Sequence, residues 1–202
     1  MKKVIVILVL HFVLININAQ FSEKNALYST GEIAFGNYLE LNLNLNYVIN
    51  EKYSFQIGYS SHIRESKYEP EDYSSGLVGI FTLGFGQLHF DQMDNYQILV
   101  GKIYNLNERG NIRFNLAGGI GYTIITEPTN WKPVSGFTLG ENYTYDIDKH
   151  STISLIINPK IEFPFTRIFG LTISPMLQIN KDRTFIGIGV GPMIGLLRKK
   201  IN

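Results

Sequence analysis

The sequence predicts an all-β chain, an eight-stranded antiparallel up-and-down transmembrane β-barrel. Three observations carry that expectation. Side-chain polarity alternates with a period of two over much of the chain, and successive strand side chains leave opposite faces of the pleat. The two faces also differ in kind. In the stretch from Leu39 to Ile49 the odd positions are Leu, Leu, Leu, Leu, Tyr and Ile, and the even positions are Glu, Asn, Asn, Asn and Val. Asn is disfavoured in strands generally, whereas a hydrocarbon face backed by an amide face suits lipid on one side and a polar lumen on the other. Finally, short turns and long connections fall on opposite ends of the strands, the arrangement of outer-membrane barrels.

The chain opens with Lys2 and Lys3, an apolar run from Val4 to Ile15 broken only by His11, and Ala19 before Gln20. That is a secretory signal, residues 1–19, too short to remain as a spanning helix. Residues 20–202 then form one barrel domain. Cysteine is absent and formal charge is +1. These facts argue against a lipid-anchored cysteine, a disulfide framework, thiolate metal sites and a nucleic-acid partner.

The first strand is expected near 26–35, with Leu27, Ile33 and Phe35 on one face. The second is 39–49. Asn50-Glu51-Lys52 turns it into the third, near 53–63, the clearest hairpin of the chain. Residues 64–94 are expected as a long loop; Gly76 to Phe90, apolar but without clean alternation, reads as either a strand or part of that loop. Asp91 to Asn95 reads as a break before a fourth strand near 95–105, whose facing is ambiguous because Lys102 is in phase with Tyr96, Ile98 and Val100. A turn at 107–110 leads to the fifth strand, near 111–126. Residues 127–148, with the sole Trp131, form a second long loop, of the kind usually functional. The last three strands are placed near 149–163, 167–179 and 184–197, the final one with alternating glycines at 187, 189, 191 and 195. Pro159, Pro175 and Pro192 fall inside these strands, where each removes a ladder hydrogen bond, so bulges or strand ends are expected there.

The inward faces place Glu32, Glu40, Arg113, Lys160 and Glu162 in the lumen as a charge network. Buried ions must pair, and a barrel of eight strands has room only for its own side chains. Tyr68, Tyr73, Trp131, Tyr143 and Tyr145 are the loop contact candidates. Asp148, His150 and Ser154 carry hydrolase groups on one strand face, but Asp148 and Ser154 stand about 20 Å apart at the ordinary strand rise, too far for a triad. No catalytic, cofactor-binding or metal-ligand spacing emerges.

The signal ending in Ala19, the cysteine-free strands, the Asn/Gly-rich inner faces and the glycine-alternating last strand resemble the small outer-membrane β-barrels of the OmpA/OmpX type. The final strand ends in Leu196-Leu197 and a basic tail, without the terminal aromatic residue such barrels often have. The resemblance implies a bacterial outer-membrane location and roles ranging over adhesion, surface protection and occasional lipid enzymology. The expected partners are outer-membrane lipid and an extracellular protein or glycan, contacted by a monomer through loops 64–94 and 127–148, with no cofactor. Competing readings are a lipid-modifying enzyme at the outer rim, a pore, and a soluble lipocalin-like carrier of the same alternation turned inside out.

Overall fold

The computed structural model describes residues 25–74, 76, 89–108, 110–135 and 140–197. Eight strands follow in order: β1 (Ala26–Gly36), β2 (Leu39–Ile49), β3 (Tyr53–Glu65), β4 (Phe90–Asn105), β5 (Arg113–Pro133), β6 (Tyr143–Phe163), β7 (Phe169–Ile179) and β8 (Thr184–Leu196). Each pairs antiparallel with its neighbours and β1 pairs with β8, closing the barrel. The expected signal segment, the basic tail and most of the 76–90 stretch lie outside the described residues.

Closure leaves no edge within the ring, so backbone donors and acceptors there are satisfied between strands. Leu41, Leu43 and Leu45 are each about half exposed, while Asn42, Asn44 and Asn46 between them are buried. The same inversion runs through the other strands: among the described residues the buried set is rich in Asn, Gln, Ser, Thr and charged groups, and the outer band in Leu, Ile, Val, Phe and Tyr. Water would penalise such an exterior at about 25 cal/mol per Å² of apolar surface, a penalty that acyl chains remove. A lipocalin-like carrier needs the opposite facing, which the chain does not adopt. Aromatic rows edge the band, with Tyr59 beside Tyr96 at 5.4 Å towards one end and Phe163, Phe165 and Phe169 in sequence at the other. Aromatic girdles of this kind mark both interfaces of membrane barrels.

The β2–β3 hairpin shows how the sequence sets register. Asn50 and Glu51 both take positive φ, 53° and 56°, and Lys52 N donates to Ile49 O at 3.0 Å. That is a type I′ turn, whose twist matches the flanking strands. It fixes Tyr47 opposite Phe55 and Leu43 opposite Tyr59, so both strands put their apolar sets outside.

Two expectations are corrected and one ambiguity is resolved. Strand β4 begins at Phe90, so Asp91 to Asn95 is strand and no break. Its polar residues are held on both faces: Asp91 accepts from Arg64, Asn95 donates to Ser60, and outward Asp94 accepts from Tyr59 and Gln92. Lys102 does face outward with Tyr96, Ile98 and Val100, its ammonium 5.1 Å from the Tyr104 ring centre, as a snorkelling lysine near a strand end would be. Residues 127–148 are mostly strand: β5 and β6 continue as a two-stranded ribbon beyond the ring, β5 to Pro133 and β6 from Tyr143. The half-buried face of the ribbon packs aromatic rings beyond the ring of strands, so the polarity contrast from which strands are read is lost.

The prolines sit where the ladders lapse. The β6–β7 pairing skips residues 158–160 and 174–176, which contain Pro159 and Pro175, and the β1–β8 pairing skips 31–32 and 191–192, which contain Pro192. Asn158 recovers one lost bond by donating Nδ2 to Pro175 O at 3.0 Å. At Gly191 a side chain would need the space of Gly31 O, 1.9 Å from where its Cβ would stand.

Candidate functional site

Three groups of polar and aromatic side chains occupy the barrel from one end to the other. The end carrying the short turns, the start of β1 and the end of β8 holds the first. Arg113 and Glu162 are cross-strand partners, and the guanidinium donates to Glu162 Oε2 from Nη2 at 2.6 Å and from Nε at 3.0 Å. Tyr28 OH and Asn115 Nδ2 donate to the other carboxylate oxygen at 2.7 and 3.2 Å. Arg113 Nη1 also donates to Leu197 O, which ties the end of β8 to β5. Higher up, Lys160 Nζ donates to Glu32 Oε1 at 2.8 Å and Ser174 Oγ to Glu32 Oε2 at 2.6 Å. Gly189 leaves the room that the Ser174 hydroxyl uses. All five expected lumen charges are thus buried, and four of them form two ion pairs. The fifth, Glu40, faces no lysine or arginine among the described ion pairs; His62 Nε2 stands 3.6 Å from its Oε1.

Between the ion pairs and the mouth runs an amide belt. Gln97 Nε2 donates to Asn42 Oδ1 and Asn44 Oδ1 at 3.0 and 2.8 Å, Asn95 donates to Gln97, and Thr123 to Asn95. Thr123 continues to Ser154, and Gln178 donates to both. The asparagines of β2 are therefore one part of a network spanning β2, β4, β5, β6 and β7. Gly58 and Gly121 provide its space: a Cβ at either would stand about 2 Å from the Asn44 or Asn95 amide oxygen. Ser154, bound into this belt, is not joined to His150, so the hydrolase grouping is not assembled.

The mouth holds a ring of charge that the sequence did not suggest. Arg64 donates to Asp91 Oδ2 from Nη2 at 2.9 Å and lies over the Tyr38 ring, 4.4 Å from its centre. Arg183 bonds Glu127 Oε2 and also reaches Asp91 Oδ2 at 3.8 Å. His150 is bracketed by carboxylates, Asp148 Oδ2 lying 3.5 Å from Nδ1 and Asp182 Oδ2 3.6 Å from Nε2. The residues come from β3, β4, β5, β6 and the β7–β8 turn, and no spacing along the chain announces their meeting. In particular, the donors of Glu127, Asp148 and His150 lie within 4.8 Å of one another, a metal-capable grouping where sequence spacing showed none.

Outside the ring, the β5–β6 ribbon gathers four of the five expected contact residues. Trp131 packs against Tyr145, Tyr73 and Tyr143, with ring centres at 4.7, 5.3 and 6.3 Å, and Tyr73 reaches His89 at 5.2 Å. Tyr68 stands apart, well exposed, beside Lys67. Asn142 fastens the loop after β3 to the ribbon: its Nδ2 donates to Asp72 O at 2.7 Å and its Oδ1 accepts from Ser74 N at 2.6 Å. Tyr143 OH donates to Asp72 Oδ1 at 2.7 Å. That bond lifts the Tyr143 phenol above its ordinary pKa, and burial lifts Tyr73 and Tyr145. Burial pushes the His89 imidazole down.

The barrel is similar to Ail, the attachment invasion locus protein of Yersinia pestis, with a TM-score of 0.51 at 13% identity, over 87% of this chain and 100% of that one. It is also similar to the N-terminal β-barrel domain of Pseudomonas aeruginosa OprF, with a TM-score of 0.50 at 11% identity, over 86% and 98%. The fold is that of the small bacterial outer-membrane β-barrels. No family model matches the chain, and no curated protein does.

Proposed function

We propose that this protein is a monomeric bacterial outer-membrane barrel with a closed lumen, and that its ribbon is the working surface, contacting an extracellular protein or glycan. The apolar outer band supports the location. The paired charges and the amide belt support closure, because an eight-stranded ring is filled by side chains of this size. One observation carries the interaction reading: Trp131, Tyr143 and Tyr145 of a ribbon projecting past the ring cluster with Tyr73 of the loop after β3, which Asn142 braces against the ribbon. Aromatic side chains offer large contact area at low entropic cost, and sites of this kind lie on loops held by a rigid scaffold.

The experiment is deletion of residues 128–147 from barrel refolded in lipid nanodiscs, assayed for heat-modifiable gel mobility and for binding to arrayed glycans and purified extracellular-matrix proteins. The expected result is an intact mobility shift with loss of whatever binding the full chain shows, reproduced by Trp131→Ala. Loss of the mobility shift, or binding that survives the deletion, contradicts the proposal.

A further inference from the structure

The mouth cluster goes beyond a rim of surface charge. Glu127 and Asp148 stand directly opposite each other on β5 and β6. Like charges so placed destabilise a sheet, unless something positive lies between them. His150 follows Asp148 by two residues on the same strand and face, so two rigid paired strands supply all three donor groups. Within the contacted set, Asp91, Glu127, Asp148 and Asp182 are four carboxylates facing two guanidiniums, Arg64 and Arg183. The balance is two negative charges.

We propose that Glu127, Asp148 and His150 form a site for one divalent transition-metal ion of the zinc class at the barrel mouth. One imidazole and two carboxylates are a ligand set that such ions take, leaving an open position for water. Ligands about 2.1 Å from a tetrahedral ion sit roughly 3.4 Å apart. His150 Nδ1 and Asp148 Oδ2 already stand at 3.5 Å, and all three donors lie within 4.8 Å of one another, so a small side-chain adjustment completes the set. Arg183 engages Glu127 through Oε2, leaving Oε1 for the ion. The remaining His150 nitrogen faces Asp182 Oδ2 at 3.6 Å. A carboxylate on the far nitrogen is the usual outer partner of a metal-bound histidine, fixing its tautomer and ring orientation. Asp182 is therefore a positioning residue.

The test is calorimetric titration of ZnCl2 into the tag-free chain in zwitterionic nanodiscs, with Co2+ absorption spectra as a second readout. The parent is expected to bind one ion and to give the intense visible bands of low-symmetry Co2+. His150→Ala abolishes both signals. Asp182→Asn keeps the stoichiometry with affinity about 10- to 100-fold lower. His89→Ala, at a histidine in the ribbon cluster, leaves binding unchanged. Glu127→Gln replaces His150→Ala if the latter fails to show heat-modifiable mobility. Absence of saturable zinc binding by the parent overturns the site, and so does parent-like affinity in the His150 or Glu127 variant.

Discussion

Arg113 on β5 and Glu162 on β6 are 49 residues apart in the chain, yet they are cross-strand partners joined by a 2.6 Å ion pair inside the barrel. Breaking such a pair from one side strands the other charge, at a cost on the order of 3–5 kcal/mol. Glu162→Leu should pay this in full, because Arg113 then keeps only Leu197 O among its present acceptors. Arg113→Met should cost less, since Tyr28 and Asn115 still donate to Glu162. Urea titration in lipid vesicles, followed by gel mobility, ranks the two variants; the reverse order contradicts the pairing.

Lys160 and Glu32 offer a cleaner separation of pair from environment. Lys160→Met and Glu32→Gln should each destabilise, and the double variant should destabilise by less than their sum. The coupling expected for contacting groups is about 0.5–3 kcal/mol. Strict additivity in the same urea assay would mean that the 2.8 Å contact contributes nothing.

Asn142→Ala should release the 66–74 segment without touching the ring, because it removes two of the bonds that fasten Asp72 and Ser74 to the ribbon. Limited proteolysis should cut that segment faster while heat-modifiable mobility persists. Unchanged cutting would show that the Tyr143–Asp72 bond, the backbone bond to Ser74 O and the aromatic packing hold the loop without the Asn142 side chain.

The same docking should weaken in acid. Burial holds His89 below its ordinary value of 6.5, so the released state takes up a proton first. Its contribution is present above pH 6.5 and is lost progressively as pH falls from there through the lowered value of the docked state. The protection of the 66–74 amides against hydrogen exchange, taken relative to the intrinsic rate at each pH, should fall over that window in the parent and stay level in His89→Phe. A pH-independent parent contradicts the assignment.

The sequence made the ring legible because lipid and lumen impose opposite polarities on alternate residues. Leu39 to Ile49 shows both faces in full, and β1, β2, β7 and β8 have nearly their expected ends. Legibility stopped where that contrast stops. Asp91 to Asn95 looked like a break because Asp94 puts a carboxylate on the outer face, where Tyr59 of β3 and Gln92, two residues before it on the same face, hold it. The ribbon 127–133 and 143–148 looked like loop because neither of its faces meets lipid or lumen. The lumen charges could be named from parity, but their pairing depends on barrel register. The same holds for His62 beside Glu40 and for the meeting of Glu127, Asp148 and His150 across two strands.

Odd residues of β2 face the outer band and even residues face the barrel interior. The chain has no cysteine, so single cysteines at positions 41 to 46 can carry a nitroxide in nanodiscs without background. Lipid-dissolved oxygen should relax the label strongly at 41, 43 and 45 and weakly at 42, 44 and 46, with an aqueous nickel chelate excluded from the first set. Equal oxygen exposure on both faces, or nickel access at 41, 43 and 45, would contradict this facing.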